Sequence, residues 1–244
     1  MIEQHLRDNL RGFSATRILD VGPGYNNFSR IAAEVTGAQE LAYMDYDEDI
    51  LTWQVKRSKR EHYAAQAIRI TLGVDELAAL PGEYDLILCQ EVFEHLTDAE
   101  EVLKALVKHL SQKGRIVVTV PTRCSERWLK LLNPSYMKDE PYGHVREFDE
   151  RGLRCFLQQA NLKLLVFLPT QPHYFVAHTW LFGSRMHVEG SSGRILTGGV
   201  RGFIFGIIHK YTGKLFSLAP LWWGKLLPRN YFVIAEKADR AAIP

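Results

Sequence analysis

Cysteine is scarce in this 244-residue chain: Cys89, Cys124 and Cys155 stand far apart and odd in number. No Cys-x-x-Cys pair occurs, so neither a thiolate zinc site nor a disulfide framework is supported, and no metal ligand set is read from the sequence. A reducing, cytoplasmic setting is the simplest expectation. Long apolar runs are missing too. The longest, Phe203 to Ile208, is far short of the ~20 residues that span a bilayer. The first residues, MIEQHLRDNLRGF, hold no apolar core of signal-peptide length. Charge imbalance is absent as well. A formal net charge of +2 gives no bulk field for nucleic acid, and none is expected as a partner. Acid is lacking locally: from Gly190 to Ala235 there is no Asp or Glu.

What is present is an ordinary globular composition, 46% hydrophobic and 24% charged, in a length that suits one α/β domain with room for an insertion. The informative stretch is RILDVGPGYNNFSR, Arg17 to Arg30. An apolar run (Ile18, Leu19, Val21) ends in Gly22-Pro23-Gly24, and a helical pattern follows (Phe28, Ile31, Ala32, Val35). Glycines let a chain turn sharply and approach a ligand, and in open α/β sheets such a turn lies where nucleotide-like cofactors bind. Asp20 lies inside the strand, where a carboxylate must be paired, so it either orders the turn or meets a polar ligand. A dinucleotide fingerprint asks for a third glycine where Asn27 stands.

Three later segments sharpen the reading. LAYMDYDEDIL (Leu41 to Leu51) reads as a strand ending at Asp45, about 20 residues after the glycines, the spacing of a carboxylate that bonds ribose hydroxyls. EYDLILCQEVFEHL (Glu83 to Leu96) is an apolar strand followed by Glu-His-Leu, and SQKGRIVVTVP (Ser111 to Pro121) gives a turn and a β-branched strand. In this order and spacing, the four segments resemble the class I S-adenosylmethionine-dependent methyltransferases over roughly residues 15 to 170. GHVREFDERGLRCFLQQANLKLL, Gly143 to Leu165, is similar to the late helix and strand of small bacterial members. The family's third glycine falls at Asn26.

The resemblance implies S-adenosylmethionine as cofactor and S-adenosylhomocysteine as product. It places Asp20, Gly22, Gly24, Asn26, Asp45, Tyr46, Asp75 and Gln90 at the cofactor. Asp75 is the candidate for the adenine, since a carboxylate accepts from its amino group. Gln90 and Glu91, just past the fourth strand, suit the methionine moiety or the acceptor. Transfer to oxygen needs a base, and His144 and His95 are the candidates because imidazole titrates near neutrality. Arg146 is a fork for an anionic acceptor or a structural ion pair. The bland readings stand beside these: a loop-ordering His95, an exposed His144, solvated Gln90 and Glu91.

Strands are expected near 17–21, 41–45, 67–72, 84–89 and 115–120, and helices near 27–36, 48–61, 98–110 and 149–160. Thr97 and Glu100 form a capping-box pattern before the third of these helices; Asp149 is a candidate N-cap for the fourth. Leu162–Leu168 and Tyr231–Glu236 complete a doubly wound, Rossmann-like sheet of about seven strands, and the resemblance makes the last antiparallel. Ile2, Leu6, Leu10 and Phe13 share one face of an amino-terminal helix. Residues 1–244 read as a single domain in which 171–228 are an insertion, too long for a hairpin. Its Lys and Arg, mixed with Phe203, Phe205, Trp222 and Trp223, suit a lid or, through 194–228, peripheral contact with the inner face of a membrane. The expected function is methyl transfer to a small-molecule or lipid-linked acceptor at oxygen. Two alternatives stay open: a catalytically silent scaffold or membrane adaptor, and a nicotinamide oxidoreductase, which would want the missing glycine at Asn27 and a larger catalytic region.

Overall fold

The computed structural model describes residues 2–71, 73–132, 143–170 and 228–238. In chain order the strands are β1 (Arg17–Val21), β2 (Glu40–Asp45), β3 (Ala64–Arg69), β4 (Tyr84–Gln90), β5 (Leu110–Pro121), β6 (Leu162–Thr170) and β7 (Asn230–Lys237). The helices are α1 (Ile2–Asn9), α2 (Phe28–Thr36), α3 (Glu48–Arg60), α4 (Val74–Ala78), α5 (Ala99–Lys108), α6 (Arg123–Leu132) and α7 (Glu150–Gln159). One seven-stranded sheet runs β3-β2-β1-β4-β5-β7-β6, with β7 antiparallel to both neighbours as expected.

The alternation of side chains explains why the central strands are apolar throughout: both faces are covered. Leu19, Val21, Ala42, Met44, Ile87, Cys89, Val233 and Ala235 point into a core closed by Leu77 of α4, Val102, Leu103 and Leu106 of α5, and Leu153, Phe156 and Leu157 of α7. Their neighbours Ile18, Leu41, Tyr43, Leu86, Leu88, Phe232 and Ile234 meet Ile31 and Ala32 of α2, Leu51 of α3 and the amino-terminal segment. There Ile2, Leu6 and Leu10 are buried and Phe13 packs partly, the expected face.

Differences from expectation have local causes. β3 begins three residues earlier than expected, because this edge strand opens with Ala-Ala-Gln-Ala, mostly exposed, and carries almost no hydrophobic signal. Helix α5 starts at Ala99 with Asp98 as its N-cap residue and without a side-chain cap, so the expected capping box does not form. Arg146 takes the Glu100 part: its guanidinium binds the Glu100 carboxylate and, beside it, the Thr97 backbone carbonyl. Asp149 does cap α7, accepting from Gly152 N at 2.7 Å, and Asp47 caps α3 through Asp49 N and Ile50 N. The helix α6 was not expected.

Strand order reverses between β1 and β4, which creates a crevice at their carboxyl ends. The insertion expected at 171–228 lies outside the described residues, apart from Pro228. Its two attachment points are visible: Arg229 N donates to Thr170 O, and Thr122 N donates to Arg229 O. Both stand at the carboxyl end of β5, the same end of the sheet as the crevice. No helix among the described residues is long and apolar enough to cross a membrane.

Candidate active site

The near wall of the crevice is the glycine turn. Gly22 has φ +61°, and a Cβ there would stand 2.9 Å from Val92 Cγ2, so both the backbone conformation and the close approach of the loop after β4 require glycine. Gly24 has φ +50°, and no described atom lies within 4 Å of the point a Cβ would occupy, so the turn opens onto free space. Asn26 fastens the turn to α2: its Nδ2 donates to Pro23 O and its Oδ1 accepts from Phe28 N at 3.0 Å.

Behind the turn lies a buried polar network that the sequence reading did not single out. Gln54 of α3, fully buried, donates from Nε2 to the carbonyls of Gly24 (2.8 Å) and Asn26 (3.0 Å). Its Oε1 accepts from Arg30 Nη1 at 3.2 Å, and Arg30 also pairs with Glu61 at 3.0 Å. Tyr43 links Ser58 (2.6 Å) and Ser29 (3.3 Å). Asp20 faces this network and is 2% exposed. Burial pushes its carboxyl up to about 7, against the opposing pull of a Ser29 hydrogen bond and the Arg30 charge.

Asp45 ends β2 at 8% exposure. Its Oδ1 accepts from Asp47 N at 3.0 Å; burial raises its pKa and the amides of Asp47 and Tyr46 oppose that rise. Tyr46 follows with about half its surface exposed. Asp75 is exposed in the first turn of the short helix α4, beyond the carboxyl end of β3.

The far wall is built by side chains from distant segments. Gln90 ends β4 at 5% exposure, and neither atom of its amide has a hydrogen-bond partner among the described residues. Glu91 adopts φ +57°, a costly conformation for a residue with a Cβ, which such sites hold when the surroundings fix it. Its N donates to Thr119 O, while its Oε1 accepts from Thr119 Oγ1 and Asn230 Nδ2, each at 3.0 Å. Burial raises its pKa, and the Arg229 charge opposes that.

Next come Phe93–His95, one turn of 3-10 helix. Glu94 is 1% exposed and its carboxyl is pushed well up, by burial first and then by the charge of Glu91. The carbonyl of Glu94 accepts from Val145 N and Arg146 N, which docks the 143–146 loop onto this turn. His144 thereby comes to lie edge-on to His95, ring centres 4.8 Å apart. His144 Nδ1 is 2.9 Å from Glu126 Oε2 of α6, both side chains almost fully buried, and His95 Nδ1 is 3.2 Å from Gly143 O. One ligand-type atom each from Glu94, His95 and His144 fall within 4.8 Å of one another. Arg146 is engaged by Glu100 and Thr97, the structural ion pair.

The structure therefore brings His95, His144, Gln90 and Glu91 together on one wall and the glycines, Asn26 and Asp45 on the other. The sequence reading missed Glu126, Thr119 and Asn230, because no helix was expected at α6 and pairing across β5 and β7 is invisible in spacing. Glu94 had a signal: an acid in an otherwise apolar turn, adjacent to His95.

Comparison with known proteins shows the family and the fold. Residues 3–166 match the family described as a methyltransferase domain. The chain belongs to that family. Among curated relatives, the ubiquinone biosynthesis O-methyltransferase of Bordetella parapertussis is 33% identical over 116 residues, 46% of this chain and 45% of that protein. The chain spans about half the length of the curated relatives it matches. Among solved structures, a putative methyltransferase from Bacillus halodurans superposes with TM-score 0.59 at 11% identity, covering 97% of this chain and 99% of that one. The N-methyltransferase NodS of Bradyrhizobium japonicum, in complex with S-adenosyl-L-homocysteine, does so with TM-score 0.53 at 18% identity over 70% of this chain and 79% of that one. These two similarities speak for the fold.

Proposed function

We propose that the protein transfers a methyl group from S-adenosylmethionine to an oxygen of a small-molecule acceptor. The observation that carries this is the pairing of an open glycine cradle with a buried Glu–His cluster across one crevice. When bound, the cofactor supplies a methyl on a sulfonium, a good leaving group, so much of the protein's task is positioning.

The residues fit that cofactor. Gly22 and Gly24 leave backbone and open space for it, and Asp45 takes the ribose hydroxyls. Asp75 and Tyr46 lie toward the adenine. The unpartnered Gln90 amide meets the methionine moiety, and Asp20 and Asn26 hold the turn in shape. At the other wall Glu91 lines the acceptor space. Arg146 acts by fixing the loop that carries His144, since its fork is engaged. The acceptor hydroxyl is activated at Glu94, His95 and His144, with Glu126 orienting the His144 ring. Oxygen as the acceptor atom is supported by the names of the curated relatives.

The insertion leaves and re-enters the sheet beside the crevice, which supports a lid over the acceptor. Its cationic and aromatic composition favours an amphipathic or lipid-linked acceptor and contact with an anionic membrane face through 194–228. Vesicle sedimentation tests that part: binding rises with anionic lipid, falls with salt and weakens in Trp222→Ala/Trp223→Ala.

Calorimetry with S-adenosylmethionine and S-adenosylhomocysteine tests the main reading, followed by transfer of labelled methyl to a panel of phenols and catechols. Micromolar binding and an O-methylated product are expected. No binding of either ligand overturns the reading; methylation of amines alone overturns the oxygen assignment.

A further inference from the structure

We propose that Glu94, His95 and His144 form a binding site for a divalent transition-metal cation at the acceptor wall of the crevice. The proposal deepens the methyl-transfer reading and rests on it for its use, though not for its existence.

Three observations converge. The first is proximity: the three ligand-type atoms lie within 4.8 Å of one another, although the residues come from the turn after β4 and from a loop some 50 positions later. Ligands around an ion at ~2.1 Å stand about 3–4 Å apart, so only small side-chain adjustments close the shell. The second is an orphaned group. Glu94 is 1% exposed, and neither carboxylate oxygen has a hydrogen-bond partner among the described residues. A buried polar group without a partner costs free energy, and an ion at this point would meet it. The third is the orientation of the rings. Metal-bound imidazoles characteristically hand their other ring nitrogen to a carboxylate or a backbone carbonyl, which fixes ring and tautomer. Here His144 Nδ1 meets the Glu126 carboxylate at 2.9 Å and His95 Nδ1 meets the Gly143 carbonyl at 3.2 Å. The proposed coordination uses Nε2 of each ring.

The donor set selects the ion. Two imidazole nitrogens and one carboxylate suit Zn2+, Mn2+ or Fe2+, whereas Ca2+ and Mg2+ prefer oxygen shells. Three protein ligands leave positions open, and a bound divalent ion acidifies a hydroxyl it coordinates. The acceptors that profit most carry two adjacent oxygens, as catechols and vicinal diols do.

The test uses tag-free full-length protein, stripped with a chelator, and titrates it with MnCl2 and ZnCl2 by calorimetry. Manganese spin resonance counts the bound ion independently. About one saturable ion per chain is expected. Glu94→Gln and His95→Asn should each weaken it at least ~10-fold, and Glu126→Gln, one shell out, by roughly 10-fold, the lower end of outer-shell effects. Circular dichroism identifies any variant that fails to fold, and the wild-type stoichiometry decides without it. No saturable uptake by wild type overturns the site, as does uptake unchanged in both Glu94→Gln and His95→Asn; Glu94 is then a buried neutral acid. Cofactor binding is read in the same samples. Cofactor without ion removes the metal and spares methyl transfer; ion without cofactor does the reverse.

Discussion

The two walls of the crevice are made by different means. In the proposed reading the cofactor wall comes mainly from residues 17 to 54, with Asp75 and Gln90 added by later segments, and presents mostly backbone: a glycine turn, the end of a strand and a helix start. The proposed acceptor wall assembles Glu91, Glu94, His95, Thr119, Glu126, His144 and Asn230, and presents side chains. A wall of backbone is specified by a few local rules and tolerates change around it. A wall of side chains depends on every segment docking correctly, and its polar members lie buried or half-buried among others of their kind. The difference predicts that substitutions will separate binding from turnover.

His144→Ala should show the largest separation. Turnover should fall by up to ~10²–10⁴-fold, the range for a group that activates a reacting proton, while cofactor affinity stays nearly unchanged. Steady-state kinetics beside calorimetry would reveal a parallel loss of affinity, which would join the two walls into one cooperative unit.

On the cofactor wall the largest effect concerns stability. Asp20 is pushed up to about 7 by burial, while an unfolded aspartate titrates near the ordinary value of 3.8. The folded state therefore holds a proton that the unfolded state has lost. The associated stability is fully present below about pH 4 and is lost as pH rises to about 7, on the order of 4 kcal/mol for a shift of about three units. Asp20→Asn imitates the neutral acid, so its contribution to this slope disappears. Urea unfolding of the two proteins from pH 4 to 8 would reveal this; parallel pH profiles would show that Asp20 is ionised and paired in the fold.

The same division explains what the sequence made legible. The turn, the end of β2 at Asp45 and the succession of strands and helices follow from contiguous patterns: Ile18-Leu19-Asp20-Val21 before the glycines, a 3.6-residue period after them, and an acid at ribose spacing. Asp149 acts as the expected cap because capping is settled within three residues. The Thr97–Glu100 box does not form: the helix starts one residue later than the box requires, with Asp98 at the N-cap, and a distant residue, Arg146, engages the Glu100 carboxylate. His144 was visible as a residue type, but Glu126 was not, because its role exists only once α6 lies against the 143–146 loop. β3 shifted because an edge strand with little to bury leaves little pattern.

A smaller separation is expected at Asp45. Asp45→Ala removes charge-assisted bonds to the ribose and should weaken S-adenosylmethionine by roughly 1.5–3 kcal/mol, a factor of about 10 to 150, with turnover at saturating cofactor largely preserved. If instead the maximal rate falls and affinity holds, Asp45 acts on the acceptor side, and the assignment of walls is wrong.

The finest test lies one layer behind the turn, at Gln54. This side chain does not enter the crevice; it holds the turn by donating to the carbonyls of Gly24 and Asn26, and is itself held by Arg30. Gln54→Ala leaves those two carbonyls and part of Arg30 without their buried partner, a loss of about 1–3 kcal/mol shared between stability and cofactor binding. Gln54→Glu is the sharper variant. An ionised carboxylate there pairs well with Arg30 but cannot donate to either carbonyl, and instead sets charge against them. If donation orders the turn, Gln54→Glu should raise the cofactor Kd at least as much as Gln54→Ala, even where the Arg30 pair restores stability. If it binds the cofactor as well as wild type, the turn is held by its glycine conformations and by Asn26 alone, and the cofactor wall is more self-sufficient than its polar backing implies.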